Sequence, residues 1–445
     1  MSTETPGSED RHASGGESEA TASAESGAAR YALVLLTIAY ALNFIDRQIL
    51  VILQGPIKAE MGLSDTQLGL LSGFSFALVY ITAGIPIAYW ADRGNRKNII
   101  ALAIAVWSGM TALSGLATNY FQLLLARIGV GIGEAGGSPP AHAIISDYYP
   151  PERRATAMSI YSAGLHLGVF AGFVIGGTVE QFFGWRMAFM VVGIPGLVFA
   201  AIFFLTVREP QRGRFESTQA AAYQPSLGET LTLLRRYRSF WYIAMGTGLT
   251  AFAGYGNGNF TPLFLERSHG ITGAELGLIL ALGGGGGGLV GTLLGGRLSD
   301  GLASRDYRWY MWLPAVCGAL AMVVAIPYLL LDTTWVVVPL VFVVSVLINT
   351  YLGPCLAICH ALVPPAMRAL TSAVLFFILN LIGLGMGPLV AGFLSDVLSE
   401  QYGDDGLRYA MLIVAGISSI GIAMFVLAAR NLKRDYAIRD ALTNR

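Results

Sequence analysis

Charge is what this chain has least of. Only 13% of its 445 residues are Asp, Glu, Lys or Arg, against about 25% in an ordinary soluble domain, too few to coat a water-soluble chain of this length. The charge present is balanced, 28 basic against 28 acidic side chains, whereas a nucleic-acid binder would show a basic surplus. Cysteine is scarce: Cys317, Cys355 and Cys359 all lie in apolar stretches, which leaves no disulfide framework and no paired CxxC metal signature. Cys355, Cys359 and His360 fall about one turn apart and would suit a soft metal, but free cysteine behaves as a small hydrophobe. Packing is the preferred reading, and neither metal nor cofactor is expected. HExxH, GxSxG and Walker patterns are missing as well, so a lipid-modifying membrane enzyme and an ATP-driven pump both lack their chemistry. The chain is not expected to be an enzyme.

What the chain has instead is apolar length. Hydrophobic residues make up 54% and the mean hydropathy is +0.59. The first 30 residues stand apart, rich in Ser, Glu, Gly and Ala with no apolar run; they read as a disordered tail and not as a signal peptide. A bilayer core about 30 Å thick needs roughly 20 apolar residues per helix. Runs of that kind occupy 31–53, 67–91, 98–118, 120–146, 155–179 and 185–206, then 239–265, 271–297, 309–331, 334–362, 369–397 and 407–429. The layout expected is a tail over 1–30, a six-helix bundle over 31–206, a linker over 207–238, a second bundle over 239–430 and a tail over 431–445.

Basic residues orient the spans. With the N-terminus inside, the cytoplasmic segments carry Arg93, Arg96, Lys97, Arg153, Arg154, the linker arginines, Arg305, Arg308 and Arg368, while Lys58, Arg186, Arg267 and Arg408 fall outside. Both termini are therefore expected in the cytoplasm, in the plasma (inner) membrane. The linker charges, Arg208, Arg212, Arg214 and Arg235 among them, are read chiefly as a topology signal; contact with anionic membrane lipid is the weaker reading. The two sets of six also repeat each other. Asp92-Arg-Gly-Asn-Arg96-Lys97 after the second span has a counterpart in Asp300 with Arg305 after the eighth. Pro150-Pro-Glu-Arg-Arg154-Ala matches Pro364-Pro-Ala-Met-Arg368-Ala, and Gly184-Trp-Arg186 matches Gly406-Leu-Arg408. Duplicated halves with a site between them are a transporter architecture. The expected fold is an all-α integral membrane protein, twelve transmembrane helices in two pseudo-symmetric six-helix halves around a central cavity.

With these residues in view the chain, from about 31 to 430, resembles the major facilitator superfamily. Asp92, Arg93, Arg96 and Lys97 match that superfamily's signature loop, with Ala88 and Asn95 departing where its pattern favours glycine. Arg127-Ile-Gly-Val-Gly-Ile-Gly-Glu134 is similar to its Arg-xxx-Gly-x-Gly stretch. Asn43-Phe-Ile-Asp46-Arg47 together with Glu134 looks most like the Spinster branch. That resemblance implies export of lysolipids or sphingoid phosphates.

Four charges lie inside spans: Asp46, Arg47, Arg127 and Glu134. Each costs at least about 2.5–3.5 kcal/mol at a helix centre and is a functional site by default. At 1.5 Å per residue, Asp46 lies about 22 Å up from the cytoplasmic end of its span and Arg127 about 10 Å down from the outer end of its own. The two depths coincide in a core about 30 Å thick. Asp46 is therefore expected to meet Arg127 in at least one state and to carry the coupling proton, with Glu134 a second proton site or a partner for an ammonium. Arg47 and Arg127 suit an anionic head group. The second half offers neutral polar groups such as Asn257, Asn259, Asn349 and Asn380. At the cytoplasmic face Asp92, Arg93, Arg96, Lys97, Arg154, Asp300 and Arg368 are expected to form a gate, with Asp92 pairing with basic residues or capping a helix of the other half when the cavity opens outward. Gly283–Gly288 reads as close packing or bending, and His142, His166 and His360 as packing histidines. The function expected is proton-coupled secondary transport of a lipid-like substrate by a monomer, the alternatives being a carrier of small organic acids or drugs, or a receptor-like protein of the same fold.

Overall fold

The computed structural model describes residues 10–215 and 225–443; the side chains of 10–26, 85, 88, 92 and 443 lie outside that description. Among the described residues twelve long helical segments follow one another, in line with a twelve-helix membrane fold. They are α1 (Asp10–Ile52), α2 (Asp65–Ala91), α3 (Arg96–Ser114), α4 (120–148), α5 (151–183), α6 (185–206), α7 (Arg238–His269), α8 (Gly273–Ala303), α9 (Trp309–Leu330), α10 (Thr334–Ala361), α11 (365–402) and α12 (Gly406–Thr443). The first begins inside the segment read from composition as a disordered tail. Two pairs run on nearly without a break. Between α5 and α6 the chain turns at Gly184, whose φ of 79° and ψ of 166° suit a residue with no Cβ. α4 is interrupted after Ala135 and restarts at Ser138 just ahead of Pro139 and Pro140, where proline rules out a continuous helical hydrogen-bond ladder.

Glycine spacing decides which helices come close. On α5, Gly164, Gly168 and Gly172 recur every four residues, and a Cβ at any of them would run into α1 at Thr37, Ala41 or Gln48. Small residues at this interval let two backbones approach without a hydrophobic driving force. α1 is thereby held where Asp46 and Arg47 face the bundle interior. On α4, Gly129 and Gly133 press on Met110 and Trp107 of α3, which fixes the helix that carries Arg127 and Glu134. The run Gly283–Gly288 packs as expected: Gly285 meets the Phe170 backbone and Gly287 the Phe342 carbonyl, with a wider π-helical turn over Ala281–Gly286.

At the end of the molecule carrying the α1–α2 loop, one apolar core runs through both halves, from Ile49, Leu53 and Phe189 to Phe260, Phe264 and Met411. Towards the opposite end it divides into a core built almost wholly from the first half, around Trp107, Ile144 and Phe203, and another from the second half around Phe240, Cys355, Cys359 and Phe425. A cavity of about 280 Å³ lies between the halves.

Candidate functional site

The cavity takes its walls unequally from the two halves. From the first come Phe44, Arg47, Gln48, Phe76 and Arg127; from the second, mainly small and apolar residues with Asn257, Asn259 and Asn349. Both guanidinium groups therefore reach the cavity surface, and both carboxylates sit behind them: Asp46 and Glu134 are buried and do not line it. Arg47 Nε donates to Glu134 Oε2 at 2.7 Å. Its charge is framed by the rings of Phe76, Phe44 and Tyr80 at 4.7, 5.1 and 5.5 Å, close enough for a cation–π attraction of roughly 0.5–2 kcal/mol each.

The pairing differs from the one expected. Arg127 donates through Nη1 to the backbone carbonyl of Asp46 at 3.4 Å and not to its carboxylate. No ion pair joins Asp46 to any cation among the described residues, and Asp46 Oδ1, Arg127 Nε and Glu134 Oε1 are all buried without a hydrogen-bond partner. The Arg127 side chain does reach α1 at Asp46. Depth does not set azimuth, however, and the roughly 100° between successive side chains on α1 turns Arg47, not Asp46, towards Glu134. The result is one closed ion pair beside two charged groups held apart. An unpaired buried charge costs several kcal/mol, and Asp46 and Arg127 are the groups here that lack an ion-pair partner among the described residues.

The proposed gate residues keep to their own halves. Arg96 pairs with Asp147 at 2.7 Å, and Glu209 accepts from the Arg96 and Lys97 backbone N–H groups at 3.2 and 2.8 Å, capping α3. Arg212 donates to the Gly94 carbonyl and Gly213 N–H to Asp147 at 3.0 Å. The start of the linker thus straps the α2–α3 loop. Arg93 lies over the Tyr89 ring at 3.6 Å. Arg154 donates to the Ser146 carbonyl, Arg368 to the His360 carbonyl, and Asp300 accepts from Tyr310. The Asp92 side chain lies outside the described residues.

The ties between halves gather at the other end, and sequence reasoning missed them. Asp65, almost wholly buried, accepts from Arg267 at 2.7 and 2.8 Å, from Lys58 at 2.5 Å and from Ser395 at 2.6 Å. Asp396 accepts from the Asp65 and Thr66 N–H groups at 2.9 and 2.8 Å, placing an anion from α11 on the positive N-terminus of α2. Capping across the halves, expected of Asp92, is thus made here by Asp396. The one sequence signal was Ser64-Asp-Thr-Gln67, a capping box that the structure closes.

Twelve helices in two repeats around a cavity with buried charge on one wall define a membrane transporter. The chain belongs to the Major Facilitator Superfamily, whose family profile matches residues 36–384. It is 34% identical to an MFS-type efflux pump of Mycolicibacterium smegmatis, over 91% of this chain and 93% of the relative. With the Sphingosine-1-phosphate transporter SPNS2 of Mus musculus it shares 26% identity over 92% and 79% of the two chains. Among solved structures it matches a bacterial homologue of the human lysosomal transporter Spinster in an inward-facing, unoccupied conformation, with TM-score 0.85, 34% identity and coverage of 92% and 98%. The Spinster-like resemblance read from Asp46, Arg47 and Glu134 holds across nearly the whole chain.

Proposed function

We propose that this protein is a proton-coupled secondary active transporter that moves an amphipathic, lipid-like anion or zwitterion of the lysophospholipid or sphingoid phosphate class by alternating access. The observation that carries this reading is the make-up of the cavity: both cations, Arg47 and Arg127, come from the first half, while the second half supplies mainly small and apolar residues with the neutral Asn257, Asn259 and Asn349. A guanidinium pair receives a phosphate or carboxylate, and the apolar surface removes a hydrocarbon from water at roughly 25 cal/mol per Å². Because Glu134 already holds Arg47, an incoming anion competes with it. Protonation of Glu134 releases Arg47 to the ligand, and protonation of Asp46 removes a charge beside Arg127. Proton and anion then favour each other's binding, a coupling that needs no nucleotide. A membrane potential adds about 2.3 kcal/mol per charge per 100 mV.

In this reading the chain divides into bundles over 31–206 and 239–430 joined by the 207–238 linker. It works as a monomer in the plasma membrane with both termini in the cytoplasm, and the Asp92–Lys97 loop, Arg154, Asp300 and Arg368 meet across the halves only in the opposite state. Purified protein in liposomes should then accumulate a lysophospholipid under an imposed pH gradient and ignore small organic acids. Accumulation of the acids alone would overturn the lipid assignment. The efflux pump sharing 34% identity favours one second reading, a drug carrier, which would show in the same assay as transport of cationic or neutral drugs.

A further inference from the structure

Three glycines alternate on α7, in Gly254-Tyr-Gly256-Asn-Gly258, where glycine weakens a helix relative to alanine. Each ought to have a reason, and the reasons differ. Gly256 sits against α11: a Cβ there would meet the Gly387 carbonyl oxygen at 3.0 Å and Val414 at 3.0 Å, so close helix approach accounts for it. Gly254 and Gly258 are one turn apart on the opposite face and line the cavity. A Cβ on Gly258 would have nothing within 4 Å, and one on Gly254 would only graze Ile348 at 3.9 Å. Neither has a positive φ. Backbone conformation and helix packing therefore both fail as explanations. What glycine leaves at these two positions is empty volume on a cavity wall that Ala253, Ala321, Ala325 and Ala415 also line, along with Tyr255, Asn257 and Asn259. Arg127, buried yet with Nε unpartnered, lines the same cavity, so one space offers both a cation for a head group and room for an apolar chain.

We propose that Gly254 and Gly258 are specificity-determining residues, keeping open the second-half recess that holds the apolar chain of the transported molecule and setting the bulk it admits. The inference rests on the amphipathic-anion reading and extends it to named positions on α7. A side chain added there projects into the recess without disturbing helix contacts, so its effect scales with ligand chain length and leaves the anion position on α1 and α4 as it was.

The test uses full-length protein in lipid nanodiscs with butyl, octyl, dodecyl and hexadecyl phosphate as probes, read by thermal shift and by competition binding. In the unsubstituted protein affinity should rise with chain length. Gly258→Leu and Gly254→Leu should lower the ratio of dodecyl to butyl affinity about tenfold, near 1.4 kcal/mol. Gly258→Ala should keep that ratio and melt no lower than the parent, while Gly256→Ala, pressed on the Gly387 carbonyl, should melt lower. Equal weakening of every chain length by Leu would overturn the proposal, as would no dependence on chain length in the parent. If Gly258→Ala by itself weakened all probes, the glycine would be a hinge and the recess assignment would fall. Chain-length selection without lysophospholipid transport in liposomes would remove the substrate assignment above and leave this inference standing.

Discussion

Four charges inside first-half spans, Asp46, Arg127 and Glu134 buried and Arg47 partly open to the cavity, differ in how they are paired. Glu134 is the closed partner of Arg47 at 2.7 Å, while Asp46 and Arg127 meet only through a backbone carbonyl. Glu134→Gln keeps the shape and removes the charge that holds Arg47. Substrate anions should then bind more tightly, about tenfold for roughly 1.4 kcal/mol of lost competition, while pH-driven accumulation falls. Asp46→Asn should abolish pH-gradient-driven transport in liposomes and spare exchange of substrate across the membrane. Retention of full gradient-driven transport would make Asp46 structural and leave Glu134 as the proton carrier. Arg127→Ala should damage both exchange and driven transport, since it removes the cation beside a buried carboxylate.

Among the elements, the α1–α2 loop, the Arg267 end of α7 and the Asp396 end of α11 form the latch between halves. Asp65 engages Lys58, Arg267 and Ser395 at once, and Asp396 caps α2 from the other half. These contacts span the interface at this end, so their loss penalises this state alone. Asp65→Asn should shift the population towards the state open at the Asp65 end by at least about tenfold. Thiol labelling of a cysteine placed at the exposed position 59 or 272 would read the change, and unaltered labelling would demote the cluster to local packing.

Within the first half, Glu60 in the α1–α2 connection ties the same end to α6: hydrogen bonds from Arg186 and Trp185 hold its carboxyl below the usual range.

For the whole molecule, one apolar core spans both halves at the latch end and separates into two at the other. Shared apolar packing therefore joins the halves at the latch end, and the described side chains of the signature loop bond within the first half, where Glu209 and Arg212 strap the loop. A tag inserted in 216–224 should be reached by a membrane-impermeant probe only from the cytoplasmic side. Labelling from outside intact cells would invert the topology.

The number of spans, their pairing into repeats and the identity of the charges inside the spans were all present in the sequence, because hydropathy and the cost of a charge in lipid are local quantities that each segment carries with it. A rise of 1.5 Å per residue put Asp46 and Arg127 at one level, and the Arg127 side chain does reach the Asp46 carbonyl. Partner choice was not readable. Which carboxylate Arg47 takes depends on the rotation of α1, and that is set by Gly164, Gly168 and Gly172 pressing on it from a helix more than a hundred residues away. The latch joins Asp65 to Arg267, Ser395 and Asp396 across the two halves, and no local pattern encodes which loop of one half meets which helix end of the other. Nor could the α7 glycines be told apart in sequence, where all three look alike. Only the packed structure presses Gly256 against another backbone and leaves Gly254 and Gly258 facing open space.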